Sequence, residues 1–227
     1  MRHTFSTPRL VLMMLCLIMP IILASTLRAS DQGHHHSGGG VDHWLPHLEG
    51  DERASWQMPD HVIELMQMKP GMRAADIGAG TGYFLERLAR AAGPSGRVLA
   101  LDVDRELVDF MSDRVAVEGW KNVEARLAQP DNPGLEPRSV DRILIVNTWH
   151  HIGNRELYAE RLLHALRPDG RILVVELTMH SPHGPPLDHR LQAEQVIQEL
   201  EAGGLSARLL EERLPHQYAV EASRPAS

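Results

Sequence analysis

The chain has 227 residues, 43% hydrophobic, 23% charged and 4% aromatic, with a net charge of −7 at pH 7, which is the size of one ordinary domain plus a leader. Aromatic side chains are scarce, so aliphatic residues and Met must fill the core. The first 29 residues hold three arginines and no acid, leaving 20 basic against 30 acidic residues beyond them; such a surface repels phosphate backbones and excludes nucleic-acid binding through a broad basic face.

At the N-terminus Arg2 and Arg9 precede an apolar run over 10–24, and small residues follow at Ala24, Ser25, Ala29 and Ser30. A bilayer core needs about 20 apolar residues, and Pro20 interrupts this shorter run. A cleaved signal peptide over 1–29 is therefore expected, with a retained anchor and membrane association through 10–27 as the competing reading. Either places the protein outside the cytoplasm or on a membrane, periplasmic, secreted or anchored; a leader without function leaves it cytoplasmic. Cys16 is the one cysteine and lies inside the run, so a mature chain has no disulfide to report its compartment.

Residues 30–50 are rich in Gly, Ser and His, including His34, His35 and His36, and read as a solvated linker; metal binding by this tract is the alternative. From residue 51 to 227 one domain is expected. A helix over 60–68 stops at Lys69, Pro70 and Gly71, a first strand follows over 73–77, and a helix over 83–92 turns at 93–96. A second strand covers 98–101, Asp104 caps the next helix, and a third, weaker strand spans 123–127. The run 142–146 is the fourth strand, 155–166 a helix and 171–177 the fifth strand. A Pro-containing loop over 181–186, a helix over 193–202 and two terminal strands over 207–213 and 217–221 complete the chain. Alternating strands and helices specify an α/β fold, Rossmann-like and doubly wound, with a mainly parallel seven-stranded sheet and helices on both faces.

The most informative stretch is Asp76, Ile77, Gly78, Ala79, Gly80, Thr81, Gly82 and Tyr83, where the first strand turns into a helix. Glycines there let the backbone adopt positive φ and approach a ligand at the carboxyl edge of a parallel sheet. A dinucleotide fingerprint would be G-x-G-x-x-G. This loop is D-x-G-x-G-x-G and puts Tyr83 where that pattern wants its third glycine, so a nicotinamide-dependent oxidoreductase is disfavoured. An anion at Asp76 suits a cationic amino acid better than a pyrophosphate.

These residues resemble the first motif of the class I S-adenosylmethionine-dependent methyltransferase family, and the chain is similar in particular to its quinone-methylating group. The resemblance continues through 139–147 and 166–171. It implies S-adenosylmethionine as cofactor, with Asp76, Gly78, Ala79, Gly80, Thr81, Gly82 and Tyr83 around the donor, Asp102 on the ribose hydroxyls and Val103 beside it. Gln129 or Asp131 would meet the adenine, and Asn147 would border the donor. The family usually has Gly where Asp169 stands and an acid after the third strand where Ala128, Gln129, Pro130 and Asp131 lie, which leaves the adenine contact divided.

His150 and then His151 are the candidate catalytic bases, because they follow the fourth strand where this fold class presents groups to the acceptor. His180, His183 and His189 lie in or near the loop that would cover the acceptor site, and with the His150 pair they are a candidate metal cluster. Trp56 and Gln57 are candidates to close over the donor. The expected partner is a small-molecule acceptor. The competing class is an exported, non-catalytic protein that keeps the fold and holds a metal or metabolite through its histidines.

Overall fold

The computed structural model describes residues 52–226 without a break, together with 1, 41, 45 and 48–50. The expected leader, and His34, His35 and His36, lie outside the described residues. Among the described residues no helix is long and apolar enough to cross a membrane.

Among the described residues from 52 onward, two short helices, α1 (Arg53–Gln57) and α2 (Pro59–Leu65), precede the sheet. They are followed by β1 (Arg73–Ile77), α3 (Leu85–Ala92), β2 (Arg97–Asp102), α4 (Arg105–Glu118), β3 (Val123–Leu127) and β4 (Val140–Val146). The chain ends with α5 (Arg155–Ala165), β5 (Leu166–Leu177), α6 (Ala193–Ala202), β6 (Ser206–Leu209) and β7 (Gln217–Ser223). The seven strands form one sheet in the order β3-β2-β1-β4-β5-β7-β6. β1 to β5 run parallel, and β7 is antiparallel to both β5 and β6.

The strands flanking the reversal of strand order are mostly apolar because helices cover both of their sides, with Asp76 of β1 and Arg142 of β4 as buried charged exceptions. Ile143, Ile145, Ile172 and Val174 point to the face covered by α5 and α6, through Tyr158, Leu162, Val196 and Leu200. Ala74, Leu144, Leu173 and Val175 point to the face covered by α2, α3 and α4, through Val62, Leu85, Leu88 and Met111. Asp104 caps α4 by accepting the Glu106 N–H at 2.8 Å, and Asn154 caps α5 by accepting from Leu157; each such cap satisfies one of the orphan donors of a helix start.

Several boundaries differ from expectation for local reasons. α2 stops at Leu65, where Gln67 adopts φ +49°. α3 begins at Leu85 instead of 83, because turns closed by Gly82 N–H to Ala79 and Leu85 N–H to Gly82 occupy the loop. The expected turn before the fifth strand lies inside β5: Val140 pairs with Leu166 and Arg142 with Arg171, so 167–170 bulge out of the ladder. β6 ends at Leu209, and its continuation turns back where the Leu214 N–H bonds the Glu212 carboxylate.

Candidate functional site

In an open parallel sheet the ligand crevice lies beyond the carboxyl ends of the strands, where the strand order reverses. Here that point falls between β1 and β4. Asp76 is the penultimate residue of β1, only 3% exposed, on the face that also carries Ala74 and its strand partner Leu144. Burial pushes its carboxyl up to about 7, the Arg53 guanidinium opposes that rise, and Asp102 adds to it. The loop then leaves the sheet with φ +69° at Gly78 and +60° at Gly80. A side chain at Gly78 would strike Thr148, whose atoms lie 2.3 Å from the position of a Cβ. This close approach joins the glycine loop to the end of β4, and a larger residue would force the two apart.

Asp102 ends β2 and accepts two backbone hydrogen bonds, from Gly80 N–H at 2.8 Å and from Asp104 N–H at 3.0 Å. Burial raises its carboxyl above the ordinary range, against these backbone donors. Val103 beside it is apolar yet 46% exposed, a surface that suits a flat ring. The Thr81 hydroxyl is buried without a hydrogen-bond partner among the described residues, and such an orphan is costly unless a ligand or water meets it. The residues therefore fit a cationic sulfur nucleoside: a desolvated carboxylate at Asp76, an orphan hydroxyl at Thr81, a close-approach loop and a second acid at the ribose position.

The remaining predicted donor contacts are distributed differently. Asn147 adopts φ +50°, and its amide oxygen accepts from Gln217 Nε2 at 2.9 Å. Gln129 forms an isolated bridge with Asn132 and is exposed. Asp131 is exposed and pairs with Arg161 of α5 at 3.3 Å, an interaction that draws its carboxylate toward the helix.

Beyond the carboxyl ends of β4 and β5 the structure assembles a pair that reading in one dimension missed. His150 Nδ1 lies 2.9 and 3.1 Å from the two Glu176 oxygens, and the His150 N–H donates to Glu176 at 3.2 Å. The side chains of His150 and Glu176 are 5% and 4% exposed. A carboxylate at Nδ1 fixes the ring and leaves Nε2 as the proton-accepting nitrogen of the neutral imidazole. The His151 ring lies 4.1 Å from that of His150 and belongs to an exposed residue. Glu176 was visible as an acid at the end of an apolar strand, yet nothing in the order of residues linked it to His150.

Trp56 and Gln57 settle elsewhere than over the glycine loop. Trp56 stacks on His183 at 4.4 Å, His183 meets His216 edge-on at 5.4 Å, and Gln57 donates to Gln217 at 2.6 Å. It is Arg53 that reaches the glycine loop, 4.0 Å above the Tyr83 ring; no sequence signal marked it. His180, His183 and His189 do not converge with His150: among the described residues no group of three or more His, Cys, Asp or Glu is placed to hold a metal ion. Arg190 instead ties their loop together, donating to the carbonyls of Thr178, Ser181, His183 and Pro185.

Residues 74–170 match the family model described as a methyltransferase domain. The chain is similar to a ubiquinone/menaquinone biosynthesis C-methyltransferase of Ectopseudomonas mendocina, 30% identical over 141 residues that cover 62% of this chain and 53% of the relative. It is also similar to a protein-L-isoaspartate O-methyltransferase of Methanopyrus kandleri, 27% identical over 169 residues, or 74% of this chain and 68% of that one. Among solved structures, a SAM-dependent methyltransferase from Aquifex aeolicus aligns with a TM-score of 0.74 at 26% identity, covering 78% of this chain and 95% of the other. The chain spans about half the length of the quinone-pathway relatives it matches.

Proposed function

We propose that this chain, whose residues 74–170 are a methyltransferase domain of the S-adenosylmethionine-dependent class, transfers a methyl group to a small-molecule acceptor. The observation that carries this reading is the glycine loop at the reversal of strand order, bracketed by buried Asp76 and by Asp102 bonded to Gly80. When bound, the donor supplies an activated methyl on a sulfonium whose leaving group is a neutral thioether, so alignment accounts for most of the acceleration.

The chain's own residues then divide the work. Asp76 faces the positive end of the donor. Asp102 holds Gly80 and offers its carboxylate to the ribose, and Val103 offers an apolar surface to the adenine. At the acceptor side Glu176 orients His150, which takes the proton of an oxygen, nitrogen or sulfur nucleophile through Nε2, and His151 lines the approach. The buried position of the pair keeps water from competing for that proton. The leader belongs to the same proposal as an export or anchoring signal, which sets the domain apart from the cytosol where its donor is made.

Calorimetry with S-adenosylmethionine and, separately, Zn²⁺ tests the reading. Micromolar donor binding that weakens at least about tenfold in Asp102→Ala is expected, since that variant loses the ribose contact and leaves Gly80 N–H unpaired. Binding of Zn²⁺ alone would instead support the non-catalytic reading.

A further inference from the structure

Three side-chain amides run in series from α1 to the end of β4. Gln57 of α1 and Gln217 at the start of β7 are buried, with 0% and 2% exposure. Gln57 Nε2 donates to Gln217 Oε1 at 2.6 Å, and Gln217 Nε2 donates to Asn147 Oδ1 at 2.9 Å. Behind Gln57, the Arg53 Nη2 stands 3.5 Å from Gln57 Oε1. Asn147 is partly exposed, and among the described residues no hydrogen bond engages its Nδ2.

A carboxamide has one accepting end and one donating end, whereas a guanidinium only donates. The Gln57 oxygen therefore faces Arg53 and its amide nitrogen faces Gln217. Turning over any amide in the series would set donor against donor or acceptor against acceptor, with no solvent contact at Gln57 or Gln217 to relieve the mismatch. The series thus has one polarity: the Asn147 oxygen is held by Gln217, and its N–H groups are left for whatever enters the crevice.

The strand ends bring this amide to the base. Asn147 adopts φ +50°, a left-handed conformation that Asn tolerates, and its backbone N–H bonds the Val175 carbonyl, one residue before Glu176. In the β5–β7 ladder Glu176 is opposite Tyr218 and Leu177 is opposite Gln217. The amide series and the His150–Glu176 pair therefore leave neighbouring ends of β4, β5 and β7.

From this we infer that the Asn147 amide N–H is the group that binds the methyl acceptor, that it selects an acceptor with an oxygen lone pair at or beside the nucleophilic atom, and that Gln57 and Gln217 are positioning residues that hold it in that orientation. The inference rests on the methyltransferase reading above. Once His150 has taken the nucleophile's proton, the acceptor carries negative charge, and a donor already fixed in place stabilises that charge where it falls on oxygen. An acceptor without such an oxygen leaves the N–H unpaired and binds less well.

The test compares two probes with the same ring, 4-nitrophenolate, which offers an anionic oxygen, and nitrobenzene, which lacks it. Equilibrium dialysis uses the full chain saturated with S-adenosylhomocysteine in mildly alkaline buffer. The wild type should prefer 4-nitrophenolate by about tenfold or more. Asn147→Gly keeps a residue that accepts positive φ and should abolish the preference. Gln217→Met and Gln57→Met should each reduce it by at least about threefold while nitrobenzene binding stays within about twofold. Nitrogen-15 spectra of the wild type need no variant: the Asn147 side-chain NH2 signals should shift with 4-nitrophenolate and stay in place with nitrobenzene. Absence of 4-nitrophenolate binding or of a preference in the wild type, unmoved Asn147 signals, or equal losses of both probes in the variants overturn the inference and leave the donor reading standing. Failure of the wild type to bind S-adenosylhomocysteine overturns the two together.

Discussion

Asp76 concentrates the site's electrostatics in one side chain. Its carboxyl holds a proton up to about pH 7, whereas in the unfolded chain it ionises near pH 4. Between these values the folded protein keeps a proton that the unfolded chain has lost, so stability falls as pH rises through that window and is level above it. Asp76→Asn removes this slope. The variant should be more stable than the wild type at pH 8, by on the order of 2–4 kcal/mol, and nearly equal to it at pH 4, as denaturant melts at the two values would show. The same substitution should weaken donor binding, because an amide cannot pair with an ammonium. A group kept at this disadvantage in the free protein is the expected signature of a binding residue rather than of a structural one.

At the scale of elements, β4 and β5 end side by side, and in the proposed reaction the residues that follow β4 and end β5 face the acceptor. Thr148 packs against Gly78 and binds the Val146 carbonyl, which fixes the start of the turn that carries Trp149 to His151. Trp149 is fully buried beneath that turn and donates to Glu199 of α6, and this anchor holds His150 over Glu176. If the pair acts as one base, His150→Ala and Glu176→Gln should each lower kcat by about 10² to 10³-fold, and the double variant should lose little more than either alone. Donor affinity should be unchanged. Release of S-adenosylhomocysteine over a panel of small oxygen, nitrogen and sulfur nucleophiles provides the assay. Additive losses would mean that the two residues act separately.

For the molecule as a whole the export proposal sets a donor made in the cytosol against a leader over residues 1–29. Mass spectrometry of the chain from fractionated cells should find the mature N-terminus near residue 30 in a non-cytoplasmic fraction, with the donor site still able to bind. An intact Met1 in the cytosolic fraction would end the export proposal without touching the donor reading.

The fold class, the sequence of strands and helices and the glycine loop at the end of the first strand were legible in the chain because they depend on local chemistry. Apolar runs of strand length alternate with helical periods, three alternate glycines follow Asp76, and Asp104 stands where a helix begins, so β1, β3 and α6 fall on their expected bounds. The ends of α2, α3 and β6 were harder, since single backbone angles and side-chain bonds from nearby turns set them. What tertiary structure alone decided are the contacts made across long separations: His150 with Glu176, Arg53 with Tyr83 and Asp76, and Trp56 with His183 instead of with the donor loop. Each joins residues from different elements, and no local propensity records which distant partner a side chain will meet until the sheet has brought the strand ends together.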